Sequence, residues 1–415
     1  MKKSYLMIAA AATMLTACMG NEMKNDVKDF GNSEISFSTY ASRQTKADPT
    51  ADNSSATTKW NLENHHTSFD VWAWKYYNGA WVSKAVYDKG TVNWNSSAWV
   101  TTGDNVRYWD KSAEKYYFYA AAPSSNKWVL NSKYTASTNE LGNNAYLSYA
   151  NFSLAGGLAN NLSYNNGSTT VTSYVESFKA TGVTDVDLMI AEDNEVLRSF
   201  YNTTPVQDVN ELFDHILSRL NVTVALLDGG QLASKGAKVK VTNFAITGVN
   251  LQNKGSFNEN GAVATAPYTG PDLKGTTARW TGLGLEAPYN LPGADISTTE
   301  LTTSALYIAQ YLIIPQSITS EILDRANGLV DGDDDKVGET AASHPYFVIS
   351  YTINDEPFTA YYNLANAFGK TADQKLAFNE GWQNTLNIKI DADLITFDAQ
   401  VYQWANGSTP DIPIK

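Results

Sequence analysis

Glu34-Ile35-Ser36-Phe37-Ser38-Thr39-Tyr40-Ala41 is the stretch on which the chain turns. Apolar residues at 35 and 37 alternate with polar ones at 36 and 38, the period of a half-buried strand. Its two flanks differ in character. Upstream, residues 1–17 have the make-up of an export signal. Lys2 and Lys3 give a positive start, and Tyr5 to Thr13 form an apolar run too short to span a membrane. Leu15-Thr16-Ala17-Cys18 follows, with small residues before the cysteine, as in a lipobox whose Cys is exposed by cleavage and lipidated. A plain signal peptide with an incidental cysteine is the competing reading; the place of Cys18 at the end of the apolar run favours lipidation. Residues 19–33 are a polar tether. Downstream, Ser42-Arg43-Gln44-Thr45-Lys46-Ala47 opens a linker rich in Ser, Thr, Ala and Asp that runs to residue 59. Arg43 and Lys46 lie there either as ordinary solvated charges or as sites open to a protease. A core-grade strand thus stands between a candidate lipid anchor and a candidate cut. Cutting would take a strand from the body and leave a groove.

Composition limits what that body can be. The 415 residues suffice for two or three domains, each with a sizeable core. Charged residues make up only 18%, while 24 Tyr, 15 Phe and 11 Trp mark strand composition rather than helix composition. The net charge is −13; the first 46 residues hold six basic and four acidic side chains, so 24 basic and 39 acidic remain beyond them, a net −15. Such a surface repels phosphate and argues against nucleic acid as a partner. Cys18 is the single cysteine. The body therefore has no disulfide, thiol nucleophile or thiolate metal site.

The rest of the chain reads as short strands broken by turns. Phe69 to Trp74 alternates, Tyr77-Asn78-Gly79 marks a hairpin before Ala80-Trp81, and Lys115 to Ala120 is a further strand. Asp185 to Ala191 is another. The polar run before Pro205 suggests a boundary near 200–208. Leu212 to Val224 begins as a possible helical turn and ends as a strand. Lys238 to Ile246 alternates strongly, Tyr307 to Ile314 is a buried strand stopped by Pro315, and Phe347 to Ile353 is another. Two alternating runs, Leu386 to Ile390 and Ile395 to Val401, flank Asp391-Ala392-Asp393. The fold class predicted is all-β, two tandem β-sandwiches: 1–17 signal, 18–46 tether and removable first strand, 47–204 first sandwich, 205–415 second sandwich.

No catalytic constellation emerges, and neither a cofactor nor a metal is expected. The adjacent pair His65-His66 would point to opposite faces of a strand, a poor metal geometry. His215 lies in an apolar block and reads as a buried structural histidine. Asp331-Gly332-Asp333-Asp334-Asp335 is acidic enough for calcium but lacks the alternation and closing Glu of a helix-loop-helix cage, and reads as a solvated loop. Eight Trp lie between residues 60 and 128, with Trp72 and Trp74 on one face. They serve either a core or a sugar-stacking platform; aromatic residues dominate sandwich cores, which favours the first.

Several blocks in order carry a resemblance: Cys18; the strand and basic sites before residue 47; Asp187-Leu188-Met189-Ile190-Ala191; Phe213-Asp214-His215-Ile216-Leu217-Ser218-Arg219-Leu220; Leu312-Ile313-Ile314-Pro315-Gln316; Gly381-Trp382; and Phe397-Asp398-Ala399-Gln400-Val401-Tyr402-Gln403-Trp404. Together they resemble the fimbrillin-like lipoproteins of Bacteroides-type bacteria, the type V pilins, over nearly the whole chain. The resemblance implies two transthyretin-like sandwiches and passage through the periplasm to the outer membrane on a lipid at Cys18. It also implies removal of the first strand, with Ile35, Phe37 and Thr39, by a trypsin-like or arginine-specific protease. The cut would follow Arg43 or, since Ala47 is small, Lys46. The groove would then take a strand from the C-terminal region of the next subunit. The candidate donor is Ile395, Phe397, Ala399 and Val401, extended by Ile412 and Ile414. The partners implied are other pilin subunits, the processing protease, the outer membrane, and a host or bacterial glycan or protein receptor. The alternative is a non-polymerising surface lipoprotein, or a tip adhesin, that binds glycans through the Trp-rich half.

Overall fold

The computed structural model describes residues 30–41, 62–64, 66–132, 145–154, 185–202, 206–247, 251–260, 279–284, 291–293, 296–319, 345–369, 375–392 and 395–403. Cys18, Arg43, Lys46, His65, His344, Asp331–Asp335, Ile412 and Ile414 lie outside them.

The chain is all-β. The first twelve strands are β1 (Phe30–Glu34), β2 (Phe37–Ala41), β3 (Ser68–Tyr77), β4 (Ala80–Trp81), β5 (Tyr87–Trp94), β6 (Trp99–Val100), β7 (Tyr108–Asp110), β8 (Lys115–Ala122), β9 (Trp128–Ser132), β10 (Ala145–Ser153), β11 (Met189–Leu197) and β12 (Val209–His215). Next come β13 (Ser218–Leu226), β14 (Val239–Thr247), β15 (Lys254–Asn258), β16 (Trp280–Gly284), β17 (Leu291–Pro292), β18 (Leu306–Ile313), β19 (Gln316–Thr319), β20 (Tyr346–Ile353), β21 (Glu356–Asn363), β22 (Lys375–Phe378), β23 (Trp382–Ile390) and β24 (Ile395–Gln403).

In the first unit the two layers are joined at both edges. The ladder runs β3-β5-β6-β2-β12-β11-β8, and β8 pairs back onto β3, so the strands close a ring. Its interior is apolar and aromatic: Phe37, Phe69, Val71, Tyr87, Trp109, Phe118, Val209 and Phe213 are buried together. The hairpin read at Asn78-Gly79 forms, with φ of 52° and 75° at the two turn residues. Both angles lie in the left-handed region that the right-handed twist of a hairpin demands and that Asn and Gly tolerate. β3 is covered on both faces. Phe69, Val71 and Ala73 point into the ring; Trp72 and Trp74 point outward, where they join a second core with Trp128, Tyr149 and Phe257.

That second core lies under a sheet of order β16-β15-β10-β9 and continues into the C-terminal sandwich. There the sheet β18-β13-β23-β24 buries Leu220, Val222, Leu386 and Ile388. The sheet β17-β14-β20-β21 buries Phe244, Ile246, Phe347 and Ile349. Phe244 and Phe347 meet at 5.6 Å between ring centroids.

Ladder pairing revises the divide expected at 204/205. β12 is a stave of the first ring, paired with β2 and β11, so the change of sheet falls between His215 and Ser218. The two halves also share a sheet, because β10 pairs with β15. A polar run marks a loop, but which ladder the next strand joins is a long-range matter. For the same reason Leu212 to His215 is strand and not a helical turn: neighbours on both sides take its backbone groups, and that outweighs local preference.

Candidate functional site: the slot of the first strand

β2 is held in the ring by more than its ladder. It runs parallel to β12 in the register Phe37↔Val209, Thr39↔Glu211 and Ala41↔Phe213, and on its other side Phe37 pairs with Trp99 of β6. Val209 N donates to Ser36 O at 2.8 Å, Ile35 N donates to Arg107 O at 2.8 Å, and the Ser36 hydroxyl donates to the Asp208 carboxylate. Ile35, Phe37 and Thr39 are 1%, 3% and 7% exposed. The alternation read in the sequence therefore puts all three on the inner face, as period two requires. Phe37 is the centre of the packing: its ring meets Phe69 and Tyr87 at 5.8 Å and Phe118 at 6.2 Å, each edge-on. Edge-to-face pairs at such distances add to the gain from burial. Just before it, β1 pairs with β7.

Without β2 the ring would open between β6 and β12. One side would show the unpaired backbone of Val209–Phe213, the other that of Trp99, and the floor would be the faces of Phe69, Tyr87, Phe118 and Phe213. Unpaired strand edges of this kind template the addition of another strand. Sequence reading missed one residue of this floor. Glu211 is wholly buried, and neither carboxyl oxygen has a hydrogen-bond partner. Burial pushes its pKa up from 4.5 to about 8; a side-chain interaction with Asn194, whose Nδ2 also donates to Asn210 O at 3.0 Å, works against that rise without cancelling it. The signal was present in the sequence: inward positions 209, 211 and 213 read Val, Glu, Phe, with a carboxylate where an apolar residue belongs.

The candidate donor residues lie elsewhere. β24 is the edge strand of its sheet and pairs with β23 from Ile390↔Ile395 to Trp382↔Gln403. Val401 is buried, and Ile395, Phe397 and Ala399 are half-buried against the second core. Phe397 meets Tyr362 at 4.7 Å and Phe347 at 5.8 Å.

The histidines differ from expectation in detail. His66 follows a short turn, where its N–H donates to Leu62 O at 2.8 Å, and it lies outside any strand; His65 falls outside the described residues. It is 7% exposed, and burial lowers its pKa from 6.5 to about 4. His215 Nδ1 meets Asp187 Oδ2 at 2.6 Å, and both side chains are buried. That partner stands 28 residues away in sequence, outside any local motif. Among the described residues no three His, Cys, Asp or Glu side chains gather to hold a metal ion. The Trp-rich half is spent on cores: Trp72, Trp74, Trp81, Trp99, Trp109 and Trp128 are all buried.

The fimbrillin-like family matches residues 45–404. The chain belongs to that family. Membership supports a fimbrial or adhesive role at the cell surface, structural rather than enzymatic. No curated protein matches the chain. Among solved structures, a fimbrial protein from Bacteroides vulgatus is similar at 15% identity, covering 90% of this chain and 100% of that one, with a TM-score of 0.41. A candidate cell adhesion protein from Bacteroides uniformis covers 90% of this chain and 99% of its own at 12% identity, TM-score 0.41. One from Bacteroides ovatus covers 92% and 100% at 11% identity, TM-score 0.42.

Proposed function

We propose that this fimbrillin-like protein is a pilin subunit. It is exported through the periplasm as a lipoprotein on Cys18, trimmed at the outer membrane after Lys46 or Arg43, and polymerised head to tail by strand exchange in a surface fimbrium that supports adhesion. The observation that carries this reading is the place of β2. It is a stave of a closed ring, yet it precedes the candidate cut and everything else in that ring follows it. One cleavage in the linker therefore frees a strand that buries Ile35 and Phe37, worth roughly 1.5–3 kcal/mol each. A strand from a neighbour restores both the pairing and the burial.

A sequence likeness supports the choice of donor. Inward residues of the first strand run Ile35, Phe37, Thr39; those of the candidate donor run Ile395, Phe397, Ala399, Val401. The same two side chains, at the same spacing, would fill the same two places on the floor. Among the described residues β24 pairs with β23 alone, because it is an edge strand. An exchange of this kind joins unlike surfaces, so it grows an open filament rather than a closed dimer.

Limited trypsin digestion tests the reading. Cleavage after Arg43 or Lys46, established by N-terminal sequencing, is expected to turn monomer into a ladder of species that resists mild SDS. Protein trimmed cleanly at that point but still monomeric overturns it.

A further inference from the structure

We infer that the slot filled by β2 is a binding site for an extended strand and a proton together, with Glu211 as the group that takes the proton. The ligand class is a strand with two large apolar residues and then a small neutral one at period two.

The case rests first on geometry. Glu211 lies on the inner face of β12 with Val209 and Phe213, inside a closed ring. Across the ladder it faces Thr39, whose hydroxyl oxygen is also buried without a partner. Of the described side chains beside it, Thr39 across the ladder and Asn194 on β11 are neutral; the charged residues of the adjoining β11 are the acids Glu192, Asp193 and Glu195, which supply no counter-charge to a carboxylate. No cation stands by it among the described residues; Arg279, which pairs with the buried Glu380 at 2.8 Å, belongs to a different core. An ionised carboxylate in that place would lack both water and a counter-charge, and the protonated form wins. When β2 leaves, Glu211 faces water and ionises with an ordinary carboxylate pKa.

The sign follows. The closed state holds a proton up to about pH 8, and the open state gives it up above about pH 4.5. Closing takes up a proton in the window between, so β2 is held most tightly in acid and its grip weakens as the pH rises to 8. Glu211 therefore sets the specificity of the slot at its third inward place: Thr39 and Ala399 both suit a protonated carboxyl. For a second copy's strand this rests on the exchange proposed above; for β2 it does not.

The test uses the full-length chain and β2 as its own ligand. Hydrogen exchange of the Phe37–Ala41 amides is measured from pH 5 to 8 and corrected for intrinsic rates, with β23 as the internal reference. Protection of β2 is expected to fall by up to ~10-fold per pH unit relative to β23. Glu211→Gln and the apolar Glu211→Met should each remove that slope while β23 stays protected. A β2 slope that is absent, shared by β23, or kept in either variant overturns the inference. Should neither variant fold, the wild-type comparison of β2 with β23 decides alone. Failure of trimmed protein to polymerise would sink the exchange reading and leave this result untouched.

Discussion

Phe37 and His66 show how single side chains set the terms of the ring. Phe37 is surrounded by three aromatic rings and 3% exposed, so truncation leaves a hole that the neighbours cannot close. Phe37→Ala is expected to cost about 3–5 kcal/mol, read as a lower urea midpoint of the full-length chain. His66 acts through pH. Its folded pKa, about 4, lies below its ordinary 6.5, chiefly through burial, with Asp187 opposing and His215 reinforcing the shift. The unfolded chain therefore takes up a proton first as the pH falls through 6.5, and stability drops until about pH 4. A pH series of urea midpoints should show that loss, and His66→Gln should remove it. The effect runs opposite to that of Glu211, so the two can be separated in one titration.

At the scale of elements the pairing partners matter more than the strands. β2 and β24 carry the same inward pattern, but one closes a ring and the other edges a sheet. A lock on β24 tells whether it is the donor. Lys389 and Thr396 are register partners on the outer side of β23 and β24. With cysteines at both positions, the oxidised protein is expected to be trimmed normally yet stay monomeric, and reductant should restore the ladder. A ladder from the oxidised form would assign donation to another segment. Strand existence was legible from period two because a sandwich strand has one wet face; Lys238 to Ile246 and Phe347 to Ile353 became β14 and β20, which pair with each other. Where both faces are covered the alternation disappears. β13 is buried at all nine positions, with Arg219 and Asn221 among them, so no reading of hydropathy could assign its faces.

For the whole molecule, the assembly proposed above reduces to competition for one slot. A synthetic peptide of the Glu34–Ala41 sequence, added in excess during trimming, should cap growing ends and shorten the ladder in proportion to its concentration. A peptide with Phe37 replaced by Ala should cap poorly. Equal ladders with and without the first peptide would show that the slot is not where subunits join.

The sequence by itself determined that the body is made of strands, that Ile35, Phe37 and Thr39 share one face, and that a core-grade strand precedes a run of basic sites. Those are local properties, set by side-chain period and composition within a few residues. Tertiary structure alone decided that β2 lies beside a strand more than 160 residues away, that Asp187 holds His215, and that Glu211 faces Thr39 in a closed interior. Ladder partners are chosen by the burial and pairing of whole faces at once, and no stretch of chain carries that choice within itself.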